Sequence, residues 1–188
     1  SKTELNINQL KCGIHNPLNE KSSDNLLLSG EKPSQIHNNC AGKHLGMISG
    51  CLANKMKIDN YIDPNHPYQK LIRHLLEDFM ESKIHNKCIG TDGCGAPQYA
   101  FPFNNIATSM INLIKETESK NLYSSAIKKI LASINKFPLL IGGHNRFDSD
   151  VIKFTKGRIF CKGGAEGVFL FADFTKKVGG VIKILDGN

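Results

Sequence analysis

The hydrophobic period changes in the last third of this chain, and the change limits the folds that the chain can adopt. Before it, apolar residues recur at intervals of three and four, which is typical of amphipathic helices. The clearest helix covers about residues 65–82, with apolar positions at Tyr68, Leu71, Ile72, Leu75, Leu76, Phe79 and Met80. Weaker patterns predict helices over about 22–28, 40–55, 106–114 and 122–134.

After the change, apolar residues form short runs that favour strands. Residues 151–155, the pair Lys156-Gly157 and residues 158–161 predict a β-hairpin with a two-residue turn. Residues 168–172 and 181–185 predict two further strands. Helices followed by consecutive strands predict an α+β fold, and a length of 188 residues fits one domain.

Composition argues against several classes of protein. The net charge is +7, but only three residues are arginines and no basic patch is interleaved with aromatics, so we expect no nucleic-acid partner. No apolar run approaches the ~18 residues of a membrane span. The first residues carry no apolar signal segment, which favours the cytoplasm. The six cysteines are dispersed without a CxxC pair, which argues against a disulfide framework.

The sequence HNNCAGKH at 37–44 opens one of the predicted helices. A helix beginning here places Cys40, Lys43 and His44 on one face. The helix dipole and Lys43 both favour the thiolate form of Cys40. The alternative is that Cys40 is a buried apolar residue, Lys43 is solvated and His44 packs in the core.

The sequence GTDGCGAP at 90–97 places Asp92 and Cys94 among three glycines. Glycines allow positive φ and a close approach of the backbone to a small ligand. The backbone N–H groups of such a turn can bind an anion, whereas Asp92 could hold an ammonium group. The alternative is a plain tight turn.

Two further glycine-rich segments carry basic residues. The sequence KGGAEG at 162–167 lies between two predicted strands, and Lys162 could be a catalytic or anchoring amine. The loop at 142–148 carries Arg146, whose guanidinium suits a carboxylate. The alternative for each is a glycine-rich connection without chemistry.

Taken together and in this order, these motifs resemble the L-asparaginase II family, the Rhizobium-type L-asparaginases. The segments that carry the resemblance are NNCAGKH at 38–44, DGCGAP at 92–97 and KGGAEG at 162–167, supported by LKCGIH at 10–15, HPYQ at 66–69 and KILDG at 183–187. The resemblance implies hydrolysis of L-asparagine to L-aspartate and ammonia. It also implies a fold related to serine β-lactamases and glutaminases, and a homodimer.

The resemblance also implies roles for individual residues. The family's zinc-type metal site falls on Cys40, Lys43 and Cys94, and its substrate-site aspartate falls on Asp92. We therefore expect zinc as the cofactor. We expect Asp92 and Lys162 to act in catalysis. The residues expected to bind the substrate are Asp92, Gly93 and His44. Ala41 departs from the family, where a serine is common.

The largest departure concerns the nucleophile. In the family, a serine in an S-x-x-K motif and a second active-site serine precede the segment seen here. The two S-x-x-K matches of this chain, at 125–128 and 133–136, lie in lysine-rich helical stretches where chance matches are expected. We therefore expect residues 1–188 to be part of a domain, truncated at both ends and inactive alone. The alternative is a non-catalytic zinc- or ligand-binding remnant.

Overall fold

The fold is mixed α+β, as the sequence predicts, in a computed structural model that describes residues 6–187. The chain divides into two compact units: one contains the residues up to Leu75 with Ile84–Ala100, the other Leu76–Lys83 with the residues from Phe101 onward. Units of this kind also occur within one domain, so a single domain over residues 1–188 stays a prediction. No helix in the described part of the chain has both the length and the apolarity needed to cross a bilayer.

The first unit combines helices with one small hairpin. Its elements are α1 (Glu20–Leu28), α2 (Ala41–Ala53), α3 (Pro67–Met80, which continues into the second unit), β1 (Ile89–Thr91) and β2 (Pro97–Tyr99). Short 3-10 helices lie at Ile7–Gln9, Gln35–His37 and Asn86–Cys88. Helices α1, α2 and α3 confirm the predictions over 22–28, 40–55 and 65–82.

The core of the first unit forms on one face of α2. Met47, Ile48 and Cys51 recur at helical spacing and are at most 6% exposed. They pack with Tyr61, which is fully buried, and with Cys94 from the hairpin loop. The loop that carries the glycine-rich motif is therefore fixed to the core by one of its own cysteines.

The start of α2 is determined by Asn38. Its side-chain oxygen accepts a hydrogen bond from the Cys40 N–H group at 2.7 Å, and its amide donates to the carbonyl of Gly13 at 2.8 Å. Cys40 is the residue at the N-terminal boundary of α2. The 8% exposed Asn38 thus satisfies backbone groups on two segments and places Cys40 and Lys43 at the first turn.

The glycine-rich motif lies in a hairpin, although its sequence suggested only a shaped loop. Ile89 pairs with Tyr99 and Thr91 with Pro97, in antiparallel register. The N–H group of Asp92 donates to the Ala96 carbonyl at 2.8 Å and closes the connecting loop. Three-residue strands are too short to show a period of two, so hydrophobic alternation does not reveal them.

The second unit packs helices against a three-stranded antiparallel sheet. Its elements are α4 (Phe103–Glu118), α5 (Leu122–Lys136), α6 (Leu139–Gly142), α7 (Phe147–Phe154), β3 (Ile159–Gly163), β4 (Val168–Asp173) and β5 (Val178–Lys183). The strand order is β3-β4-β5, and α4 packs against β4 and β5. Helices α4 and α5 and strands β4 and β5 confirm the corresponding predictions.

Two adjacent glycines of β5 allow close packing on both faces of the strand. A Cβ atom at Gly179 would lie 2.6 Å from the Met110 Cβ atom of α4. A Cβ atom at Gly180 would lie 2.6 Å from the ring of Phe171. Both distances are too short for real contacts. At Gly179 the Met110 Cβ atom and the backbone of α4 lie in the way, so the packing requires glycine there, whereas at Gly180 the Phe171 ring would have to move.

The predicted hairpin over 151–161 is wrong in its first half, which belongs to helix α7, whereas β3 confirms the strand predicted over 158–161. Asp148 and Ile152, four positions apart, are 3% and 1% exposed, as expected for one buried helix face. The helix packs against β3. The short apolar run of residues 151–154 fits either period, and tertiary packing selected the helix.

The ends of α7 explain why Lys156-Gly157 resembles a hairpin turn in the sequence. Asp148 and Asp150 lie in its first turn and Lys153 in its last, a charge order that the helix dipole favours. Lys156 and Gly157 both have positive φ, 53° and 77°. These two residues terminate the helix before β3 instead of turning a hairpin.

Candidate functional site

Lys43 and Asp92, two of the predicted site residues, form an ion pair in the first unit. Lys43 Nζ donates to Asp92 Oδ2 at 2.6 Å. The other carboxylate oxygen accepts a hydrogen bond from the Gly93 N–H group at 2.8 Å. The side chain of Asp92 is 29% exposed and that of Lys43 is 44% exposed, so the pair lies at the surface of the unit.

Two thiols lie beside this ion pair. Cys94 Sγ donates to Asp92 Oδ2 at 3.4 Å. The Sγ atoms of Cys40 and Cys94 and a carboxylate oxygen of Asp92 all lie within 4.8 Å of one another. Helix α2 supplies Cys40 and Lys43, and the hairpin loop supplies the other two side chains. The structure therefore brings together the four residues that the two motifs singled out.

The charges of the site follow from burial and from the ion pair. The Lys43 ammonium group, by its hydrogen bond, lowers the pKa of Asp92 below its usual range. Burial favours the neutral amine of Lys43, but its hydrogen bonds to Asp92 and Cys94 raise the pKa above its ordinary value. The site without a metal thus holds a carboxylate and an ammonium group.

The surroundings of Cys40 shift the pKa of its thiol upward, opposite to the direction expected from the helix dipole and Lys43. Burial raises the pKa of the Cys40 thiol, and Lys43 opposes this effect without outweighing it. The neighbouring Cys94 and Asp92 add to the increase. Cys40 is therefore a thiol here, and a metal ion would have to displace its proton.

The donor set suits a soft divalent cation. Thiolates and carboxylates are both zinc ligands, with bonds of about 2.0–2.3 Å that place tetrahedral ligands roughly 3.5 Å apart. Cys40, Cys94 and Asp92 have donor atoms within 4.8 Å, close to this spacing. Lys43 could ligate only after losing the proton that it now shares with Asp92.

His44, predicted to bind substrate, is fully buried. Its Nδ1 atom lies 2.6 Å from the hydroxyl oxygen of Tyr61, which also accepts the N–H group of Lys11 at 2.8 Å. Burial, and then the charge of Lys43, lower the pKa of His44 and keep the ring neutral. Its Nε2 atom has no hydrogen-bond partner among residues 6–187. A substrate-binding role for His44 stays a prediction.

Lys162 lies in the second unit, on β3. Its Nζ atom is 3.6 Å from Asp148 Oδ2, and it also donates to the carbonyl of Gly163. The Lys162 side chain is 47% exposed, whereas the Asp148 side chain is 4% exposed. Arg146, the other basic candidate, is exposed just before α7.

Sequence analysis missed Asp148 and Tyr61 as partners of site residues. Asp148 is the last residue of the glycine-rich loop at 142–148. The only sequence signal for it was that aspartate is common at the start of a helix. Nothing in the sequence around Tyr61 pointed to His44. All six cysteines are free thiols in this structure.

The fold and this cluster define a mixed α+β protein with thiol, carboxylate and amine groups in one surface site. A family model described as L-asparaginase II matches residues 1–188. The chain therefore belongs to the L-asparaginase II family, which confirms the resemblance seen in its motifs. At the level of the family, membership supports an asparaginase-type amidohydrolase with a small-molecule substrate. Comparison with curated proteins gives no match.

Proposed function

We propose that the protein hydrolyses L-asparagine to L-aspartate and ammonia, with Asp92 binding the α-ammonium group of the substrate. The best support is the environment of the Asp92 carboxylate. A primary ammonium group, that of Lys43, already lies 2.6 Å from it. The carboxylate therefore accepts the same chemical group that an amino-acid substrate presents.

The loop around Asp92 leaves room for such a ligand. A Cβ atom added at Gly93 would meet no atom within 4 Å. The Gly93 N–H group holds one carboxylate oxygen in place. A substrate can thus approach the backbone closely on this side, which is a common use of glycine in binding loops.

In the proposed reaction, the amide C–N bond breaks, a C–O bond to the oxygen of water forms, and ammonia leaves. Lys162 is the proposed active-site lysine, in keeping with its place in the family motif. Its ammonium group is half exposed and is held by a buried carboxylate. A held cation of this kind can stabilise charge that develops during amide hydrolysis.

We also propose that Cys40, Cys94 and Lys43 hold a zinc ion. The proximity of the two sulfur atoms supports this proposal, and sulfur ligands suit zinc. When bound, the ion would keep both thiols deprotonated and would join the hairpin loop to α2. A homodimer remains part of the proposal as an assembly state.

The test is ammonia release from L-asparagine by the complete gene product, compared with D92N. The substitution removes the charge with little change of shape, so kcat/KM should fall by about 30-fold, which is roughly 2 kcal/mol. The matched control is D63N, since Asp63 is an exposed turn aspartate that accepts the N–H group of Asn65 at 2.7 Å. An unchanged kcat/KM in D92N would remove Asp92 from the site.

A second candidate function is zinc or ligand binding without catalysis. The cluster of Cys40, Asp92 and Cys94 favours it, because its donor atoms are assembled within one unit and metal binding needs only those atoms. Stoichiometric zinc binding by a complete gene product that releases no ammonia from L-asparagine would select this candidate over the hydrolase.

A further inference from the structure

We propose that Asp148 is a positioning residue that fixes the ammonium group of Lys162 at the start of the connection between β3 and β4. The inference rests on the proposed function, because Lys162 is the lysine proposed to act in the reaction. It concerns residues of the second unit only.

The carboxylate of Asp148 is enclosed by donors from two elements. Its Oδ2 atom accepts the N–H group of Gly163 at 3.1 Å and lies 3.6 Å from Lys162 Nζ. Its Oδ1 atom accepts the N–H group of Ser149 at 2.9 Å. Asp148 itself is 3% exposed. A carboxylate so enclosed offers the lysine one fixed partner.

The segment before α7 is shaped to hold this carboxylate. A Cβ atom at Gly142 would lie 1.9 Å from Asp148 Oδ1, so only glycine leaves the space that the carboxylate occupies. The Gly142 N–H group donates to Ser149 Oγ at 3.1 Å, and Ser149 is 1% exposed. The chain before α7 is thereby tied to the helix that carries Asp148.

The contacts with Asp148 and Gly163 restrain the flexible side chain of Lys162. Lysine carries its ammonium group on a flexible four-carbon stem. Here the group lies between the Asp148 carboxylate and the Gly163 carbonyl, while its side chain remains 47% exposed. Fixing such a group limits the geometries it can sample, and a displacement of about 1 Å in an active site can cost roughly 100-fold in rate.

The experiment compares wild type with D148N in the complete gene product, using two independent measurements. The first is the rate at which an acetylating reagent modifies Lys162, followed by peptide mass spectrometry. Because the contacts with Asp148 and Gly163 hold the amine in one place and limit its approach to the reagent, labelling of Lys162 should rise several-fold in D148N. The second is steady-state hydrolysis of L-asparagine, where kcat should fall by at least about tenfold while KM changes little.

Two controls separate positioning from loss of structure. E118Q removes the partner of exposed Lys177 and should change neither Lys162 labelling nor kcat. Alkylation of the Cys161 thiol, which is fully buried in the second unit, should stay as slow in D148N as in wild type, since a general loss of folding would expose it. D148E retains the charge and should recover much of the protection of Lys162 that D148N loses, although its extra methylene group has to fit beside Gly142.

The outcomes distinguish this inference from the proposed function. Equal Lys162 labelling in wild type and folded D148N would overturn the positioning role, whatever the activity. Raised labelling with unchanged kcat would overturn the link between that role and catalysis. Raised labelling in a protein whose wild type releases no ammonia supports the contact between the two residues and contradicts the proposed hydrolase function instead.

Discussion

Lys43 Nζ lies 2.6 Å from Asp92 Oδ2, although 49 positions separate the two residues in the chain. The contact joins the first turn of α2 to the loop between β1 and β2. It leaves the carboxylate shared among an ammonium group, the Cys94 thiol and the Gly93 N–H group. In the proposed site, the ammonium group of the substrate takes the place of that of Lys43, whose amine would be neutral when it holds zinc.

Replacing Lys43 by methionine should reduce the loss of stability in acid. Lys43 is the main cause of the lowered Asp92 pKa. Such a carboxyl stabilises the fold above its unfolded pKa, close to the ordinary 3.8, and this contribution is lost as the pH falls through the lower folded value. Since both side chains are partly exposed, we expect at most about 1 kcal/mol. The contribution is measured by urea unfolding of wild type and K43M at pH values from neutral down to about pH 3.

The matched control for K43M is K177M. Lys177 pairs with Glu118 at 2.9 Å, but the two side chains are 62% and 57% exposed. Its removal should leave the pH dependence of unfolding close to that of wild type. Parallel pH profiles for wild type and K43M would contradict the importance of the Lys43–Asp92 pair.

Replacing Cys94 by serine should weaken zinc binding by about tenfold or more, because a thiolate ligand is lost. The measurement is competition for zinc against a chromophoric chelator. C161S serves as the control, since Cys161 is buried in the second unit with its Sγ atom 3.6 Å from the carbonyl of Asp148. Equal zinc affinities for C94S and C161S would show that Cys94 is not a ligand.

Stability should fall at alkaline pH because of Cys161. Burial, and then the charge of Asp148, raise the pKa of this thiol from 9.0 to about 11. A group whose pKa is raised by folding stabilises the fold fully below its unfolded value and loses this contribution as the pH rises towards the folded value. The free energy of unfolding should therefore decrease between pH 9.0 and about 11. Denaturant unfolding of C161A should show a shallower decrease, and identical slopes would refute the explanation.

Replacing Tyr61 by phenylalanine should destabilise the first unit by about 1–3 kcal/mol. The hydroxyl of this fully buried residue serves both the Lys11 N–H group and His44 Nδ1. Without it, the buried Nδ1 atom of His44 and the partly buried N–H group of Lys11 lose their partner. Thermal or denaturant unfolding measures the effect, with Y123F as the control because Tyr123 is 39% exposed. A Y61F protein as stable as wild type would mean that water replaces the hydroxyl.

Sequence periodicity predicted the long elements of the fold and failed on the short ones. Helix α3 covers fourteen residues and shows its apolar face over several turns. Helix α7 has eight residues, and the apolar run within it fits a strand equally well. Strands β1 and β2 have three residues each, which is less than the length over which alternation becomes visible.

The sequence motifs predicted which residues form the candidate site, but not that these residues lie close together. Cys40, Lys43, Asp92 and Cys94 were singled out because glycines and capping residues surround reactive side chains. Their proximity could not be derived, since the packing of the hairpin loop against α2 brings them together. The raised pKa of the Cys40 thiol could not be predicted from the sequence either, because burial is its main cause.

The paired glycines of β5 set a limit on how this sequence can be diversified. Gly179 faces Met110 and Gly180 faces the ring of Phe171, with no space for a methyl group at either position. A mutant library that randomises these two codons would return few folded members with a side chain at position 179, where the Met110 Cβ atom and the backbone of α4 lie in the way. At position 180 only the end of the Phe171 ring lies in the way, so in a deep mutational scan tolerance there would depend on the residue at position 171, an epistatic coupling between the two strands.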